Sequence, residues 1–131
     1  MAARANLVLK DRAATPVNHT FAPAGDKGDV HRFVEKSSVS IGDRVYTISL
    51  REGDTRWTIV ARLIVPSVQT QVINGVSNPV IVHTSYVDFK VTFSKLSTEQ
   101  ERKDVIGMFA DSLGASQTQV NDLMTALLDI Y

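Results

Sequence analysis

The chain has 131 residues, 44% of them hydrophobic, with 14 Lys and Arg set against 14 Asp and Glu and no Cys. That is the length of one domain with apolar side chain enough for a single core, and the balanced charge argues against nucleic-acid binding driven by bulk positive charge. The absence of Cys excludes disulfides and thiolate metal sites, and nothing in the composition requires an oxidising compartment.

The opening Met1-Ala-Ala-Arg-Ala-Asn6 leads into no apolar run of leader length, and no stretch approaches the ~20 apolar residues of a membrane span. A soluble, unexported protein with no membrane partner is expected. Residues 7–9 are a short apolar run before the turn-rich residues 11–16. Residues 17–21 then alternate toward Pro23, which suggests a short hairpin. Residues 24–28 read as a loop by composition, residues 30–37 as another strand, and Ile41-Gly42-Asp43 as a turn. In residues 44–51, Tyr46, Ile48 and Leu50 fall on one face and Val45, Thr47, Ser49 and Arg51 on the other. After the tight connection at residues 52–55, Trp57, Ile59, Ala61, Leu63 and Val65 form the apolar set of a second strand, opposite Thr58, Val60, Arg62 and Ile64.

Pro66 is expected to end that strand, with residues 67–79 forming a connection centred on Asn74-Gly75. Residues 80–93 run extended again, with Tyr86, Asp88, Lys90 and Thr92 on one face and Val87, Phe89, Val91 and Phe93 on the other. Ser97 offers an N-cap with Gln100 three residues on, and Val105, Ile106, Phe109 and Leu113 recur at helical spacing until Gly114. Ser116 with Gln119 repeats the pattern. Val120, Leu123, Met124, Leu127 and Leu128 then predict a second amphipathic helix ending near Tyr131. Strands first and helices last argue an α+β domain over residues 1–131, the helices covering the apolar side of the sheet.

Catalytic chemistry is not announced. His19, His31 and His83 are scattered, with no HxH or HExxH pair to bind a metal, and there is no GxSxG. Gly25-Asp-Lys-Gly28 lacks the spacing and the Ser/Thr of a phosphate loop. No catalytic residue, metal or cofactor is expected. The polar face of three neighbouring strands is more informative: Thr47, Ser49 and Arg51, then Thr58 and Arg62, then Tyr86, Asp88 and Lys90. Hydroxyls for base edges, guanidinium groups for phosphates and a ring for stacking are the chemistry of a single-stranded RNA platform. The same pattern is also what the solvated side of any antiparallel sheet presents, and pattern alone leaves both readings open.

Longer matches narrow the choice. Asn6-Leu-Val-Leu-Lys-Asp11, Tyr46-Thr-Ile-Ser-Leu-Arg51, Val65-Pro66, Thr70-Gln71-Val72, Asn74-Gly75-Val76, Pro79-Val80, Thr84-Ser-Tyr86, Ser97-Thr98-Glu99-Gln100-Glu101-Arg102 and Ile130-Tyr131 together span nearly the whole chain. In order and spacing the sequence resembles the coat proteins of the small RNA bacteriophages, the leviviruses. The resemblance implies an N-terminal hairpin, a five-stranded antiparallel sheet and two C-terminal helices that clasp a partner subunit. The product is an obligate, intertwined homodimer with one continuous sheet. It implies an icosahedral shell, assembled in the bacterial cytoplasm as part of the virion, with residues 67–79 changing conformation around its symmetry axes. It also implies binding of a genomic RNA hairpin at the replicase start, which represses translation and aids packaging. By position, Thr47, Ser49 and Arg51 match the RNA-contacting strand, Arg62 a basic contact, Tyr86 the stacking ring, and Val30 a residue lining an adenine pocket. Val60 stands where some relatives carry a Thr that bonds adenine, and Asp88 where some carry Asn and others an acid. A dimeric RNA-binding protein of the same fold that forms no shell is the alternative.

Overall fold

The computed structural model describes residues 4–130. Residues 1–3, read above for a leader, and Tyr131, the expected end of the second helix, lie outside the described residues. The chain divides into two compact units, Met1–Thr92 and Phe93–Tyr131.

The first unit is an antiparallel meander in which each strand pairs with its neighbours in sequence. The strands are β1 (Leu7–Lys10), β2 (Asn18–Lys27), β3 (Val30–Glu35), β4 (Arg44–Glu52), β5 (Arg56–Ile73) and β6 (Val76–Ser94), in the order β1-β2-β3-β4-β5-β6. The expected N-terminal hairpin is present, with Leu7 opposite Phe21 and Lys10 opposite Asn18. Its turn is organised by Asp11, whose Oδ1 accepts from the backbone N–H of Ala13 at 3.1 Å and of Val17 at 3.0 Å. The strand count is six because β2 belongs to both hairpin and sheet: beyond Phe21 it continues through Pro23 and pairs with β3, with an irregularity between Pro23 and Asp26. Residues 24–27 are therefore strand and not loop. Composition misleads there because the Gly and Pro are absorbed by the irregular register.

Pro66 does not end β5. Its missing donor falls beyond Val45↔Ile64, the last registered pair with β4, so no ladder bond on that side is forfeited. Just beyond, the 3₁₀ turn Ser40–Gly42 approaches β5 so closely that a Cβ on Gly42 would lie 2.8 Å from Ser37 Oγ and 3.0 Å from Val68 Cγ2. Residues 67–79 are likewise long hairpin arms. They are joined by Asn74 and Gly75, which take φ of 51° and 78°, the left-handed pair that two-residue hairpins require. Phe21, Val34 and Ala61 are buried in this unit.

In the second unit, α1 (Glu99–Ser112) follows its apolar spacing, but its N-cap is Thr98 rather than Ser97. Thr98 Oγ1 accepts from the Glu101 N–H at 3.2 Å, while Ser97 donates to the Ser94 carbonyl and accepts from Arg102. The second helix is shorter than its apolar pattern: α2 (Thr118–Asn121) widens into a π turn over Asp122–Ala126 and stops at Leu127, which has φ 58°. Gln117, not Ser116, precedes it, without a side-chain cap bond. No described helix is long and apolar enough to cross a membrane.

Candidate nucleic-acid interface

The strand registers decide which polar residues meet. Across β3, β4 and β5 one row is Arg32, Thr47, Arg62 and the next is Val30, Ser49, Val60, with Arg51 opposite Thr58 beyond them. All belong to one face by alternation, and the apolar set Tyr46, Ile48, Leu63, Ala61 and Ile59 belongs to the other. Seven of the residues selected from sequence, Val30, Thr47, Ser49, Arg51, Thr58, Val60 and Arg62, are thus neighbours in space, although β3 and β5 are far apart along the chain.

β6 adds the rest. Arg62 Nε donates to Asp88 Oδ1 at 2.6 Å, which brings Asp88 to the same face. Tyr86 and Lys90, two residues to either side of Asp88, share its face by strand periodicity. Tyr86 is 68% exposed, as a ring that stacks on an unpaired base must be. Ser49 is the reverse, only 8% exposed between the isopropyl groups of Val30 and Val60. A sheltered hydroxyl flanked by two apolar walls suits the edge of a flat base, which gains a hydrogen bond and apolar contact together.

Two carboxylates temper the cations. Asp88 holds Arg62, and Asp29 Oδ2 accepts from Arg51 Nε at 3.2 Å. Both pairs are exposed, so each contributes little to stability, at most about 1 kcal/mol, and each can open to a phosphate. Asp29 and Arg32 stand outside the set that the sequence pattern selects. The signal for Arg32 is its period-two spacing between Val30 and Val34, whereas Asp29 is visible only in three dimensions.

A different polar cluster lies near the N-terminal hairpin. His19 Nε2 meets Asp11 Oδ2 at 2.8 Å, its Nδ1 meets Glu35 Oε2 at 2.9 Å, and Glu35 is also paired with Arg44. Hydrogen bonds from the Val17 backbone and from His19 hold the Asp11 carboxyl down at about 2, and the Asp11 bond is the chief cause that raises the His19 pKa. The cluster ties β2 to β3 and β4. Among the described residues no group of three His, Cys, Asp or Glu could hold a metal ion.

This geometry meets a family pattern. The profile described as levivirus coat protein matches residues 2–131. The chain belongs to the levivirus coat protein family. The capsid protein of Pseudomonas phage PRR1 is 43% identical to it over 127 residues, covering 96% of this chain and 97% of that one. Among solved structures, the virus-like particle of bacteriophage ESE058 superposes with a TM-score of 0.88 at 21% identity, covering 99% of this chain and 100% of that one. A bacteriophage structure described as an unassembled coat protein dimer and RNA-binding dimer superposes with a TM-score of 0.67 at 16% identity, covering 96% of each chain. These two establish the fold, antiparallel sheet followed by C-terminal helices. Levivirus coat proteins are structural capsid proteins and not enzymes.

Proposed function

We propose that this coat protein pairs with a second copy of itself, assembles into an icosahedral shell, and grips a hairpin of its own genomic RNA on the face built by β3 to β6. The carrying observation is the pair of registered rows Arg32-Thr47-Arg62 and Val30-Ser49-Val60, which sets a sheltered hydroxyl and a guanidinium side by side on the face that the exposed Tyr86 shares by periodicity with Asp88. Binding there represses replicase translation and favours packaging of the cognate genome. No cofactor takes part.

Two features support an obligate, intertwined homodimer of a single 1–131 domain. Val105 and Phe109 on α1, Leu113 at its C-cap, and Leu123 and Met124 beyond it are all exposed, an apolar stripe that a soluble chain covers with a partner. β6 is the last strand of the sheet, and Ile81, Val82 and Val87 along it are exposed as well. An edge of that length invites pairing with another copy, which makes the two sheets continuous. The Asn74–Gly75 end of the β5–β6 hairpin adapts to the different symmetry environments of the shell. The PRR1 relative is named a capsid protein, and two structural neighbours are a virus-like particle and an RNA-binding dimer. The protein accordingly belongs in the virion and assembles in the host cytoplasm.

The test is expression of the protein alone in bacteria, followed by electron microscopy and the absorbance ratio of the purified material. Uniform particles that contain RNA are expected. Arg62→Ala should weaken hairpin binding by about 1 to 3 kcal/mol and leave particles intact, because it lies on the face opposite the apolar set. Soluble dimers alone, at every salt and protein concentration, refute the shell; equal loss of binding and assembly refutes the separation of the two faces.

A further inference from the structure

The RNA face has a margin toward β2 whose cations, Lys27 and Arg32, neither its pattern nor its family resemblance marks. Beside Val30 and Thr47 a cavity of about 420 Å³ opens toward β2, lined by those two residues and by Ala24, Gly25, Asp26, Lys27 and Arg32. Its cations come from different strands. Arg32 is opposite Thr47 at the end of the row that includes Arg62, and Lys27 is opposite Val30 on β2. Both side chains are exposed. The one carboxylate in the lining is already met: Asp26 Oδ1 is bonded by His31 Nδ1 at 3.0 Å, and its other oxygen is paired with Arg4. An anion entering the cavity therefore faces two cations and a carboxylate whose charge is compensated.

The position matters as much as the charge. Thr47 and Val30 line this cavity and also belong to the two rows of the RNA face, so the surfaces are continuous. Arg32 is two strands from Arg62, about 10 Å across the sheet, room for a nucleotide beyond one held over Ser49. The apolar wall of Val30 and Ala24 suits the face of a base or sugar. We infer that Arg32 and Lys27 form a phosphate-holding annex to this face, seating one further nucleotide of the bound RNA against Val30 and Thr47. The inference rests on the RNA-binding reading and extends its footprint onto β2 and β3.

The experiment titrates a fluorescein-labelled stem-loop, transcribed from the sequence around the replicase start, with wild-type protein and with Arg32→Ala, Lys27→Ala and Arg62→Ala across a range of salt. Arg32→Ala and Lys27→Ala should each weaken binding about five- to tenfold and flatten the dependence of log K on log salt by about 0.7 to 0.9, one phosphate contact each. Their melting temperatures and particles should match wild type, since both side chains are exposed. If both bind as wild type while Arg62→Ala binds weakly, the annex is refuted and the face on β4 to β6 survives. If wild type does not bind, or Arg62→Ala has no effect, the RNA-binding reading falls and the annex with it.

Discussion

Replacing Asp88 by Asn should tighten RNA binding. Asp88 Oδ1 is 2.6 Å from Arg62 Nε, with the two side chains 65% and 55% exposed. A phosphate within hydrogen-bond reach of the guanidinium lies on the order of 5 Å from that carboxylate, where repulsion is about 0.8 kcal/mol in bulk water and about 3 kcal/mol at an effective dielectric constant of 20. Exposure on both sides places the value toward the lower figure. Releasing Arg62 from its exposed pair contributes up to about 1 kcal/mol more. Asp88→Asn, which keeps the shape and removes the charge, should therefore gain about 1 to 2 kcal/mol, a five- to thirtyfold lower Kd. One freed cation should also steepen the salt dependence of log K by about 0.7 to 0.9. Fluorescence anisotropy with a labelled stem-loop at several salt concentrations reads both quantities. In an Arg62→Ala background the same substitution should gain less, because no guanidinium is left to release. Unchanged or weaker binding by Asp88→Asn would refute the argument, since it would mean that the carboxylate accepts a hydrogen bond from the RNA.

The clamp at His19 should loosen as pH rises. Its pKa is raised, so its contribution is complete below the ordinary His value of about 6.5 and is lost as pH climbs through the folded value, whereas that of Asp11 is lost only in acid, below about 4 and toward about 2. Amide exchange in β1 and β2, corrected for intrinsic rates, should accelerate as pH rises above the ordinary His value in wild type but not in His19→Gln; equal acceleration in both would point elsewhere. Phe109→Asp places a charge in the exposed apolar stripe of α1 and should abolish particles and shift light scattering to smaller species, while particles of normal yield would mean that this stripe is not covered by a partner. Thr98→Ala removes the α1 cap and should destabilise by about 1 kcal/mol in chemical denaturation, with Ser97→Ala affecting the helix less.

The outcome at each element follows the range of the interaction that decides it. Alternation in residues 44–65 assigned both faces of β4 and β5 correctly, because side-chain direction in a strand depends only on the parity of position. The Asn74-Gly75 turn was legible for a similar reason, as its backbone conformation is settled within four residues, and the start of α1 was legible to within one residue, Thr98 in place of Ser97. Where the chain's own composition was ambiguous, neighbours decided: Pro66 stays in β5 because β4 has ended, and residues 24–27 become strand because β3 is there to pair with them.

The proposed RNA face shows the same division. Which side chains point its way could be read from the sequence alone, since nine of them alternate along β4, β5 and β6, three on each. That Thr47 sits between Arg32 and Arg62, and Ser49 between Val30 and Val60, could not, because a register slip of one residue would replace every member of each row. The ion pair between Arg62 and Asp88 spans 26 positions and the clamp between His19 and Glu35 spans 16. Sequence by itself determined the family, the order of strands before helices and the two faces of β4, β5 and β6, the last set by local alternation. Tertiary structure decided which charges are already paired and where a cavity opens, because those depend on strand partners that no local pattern names.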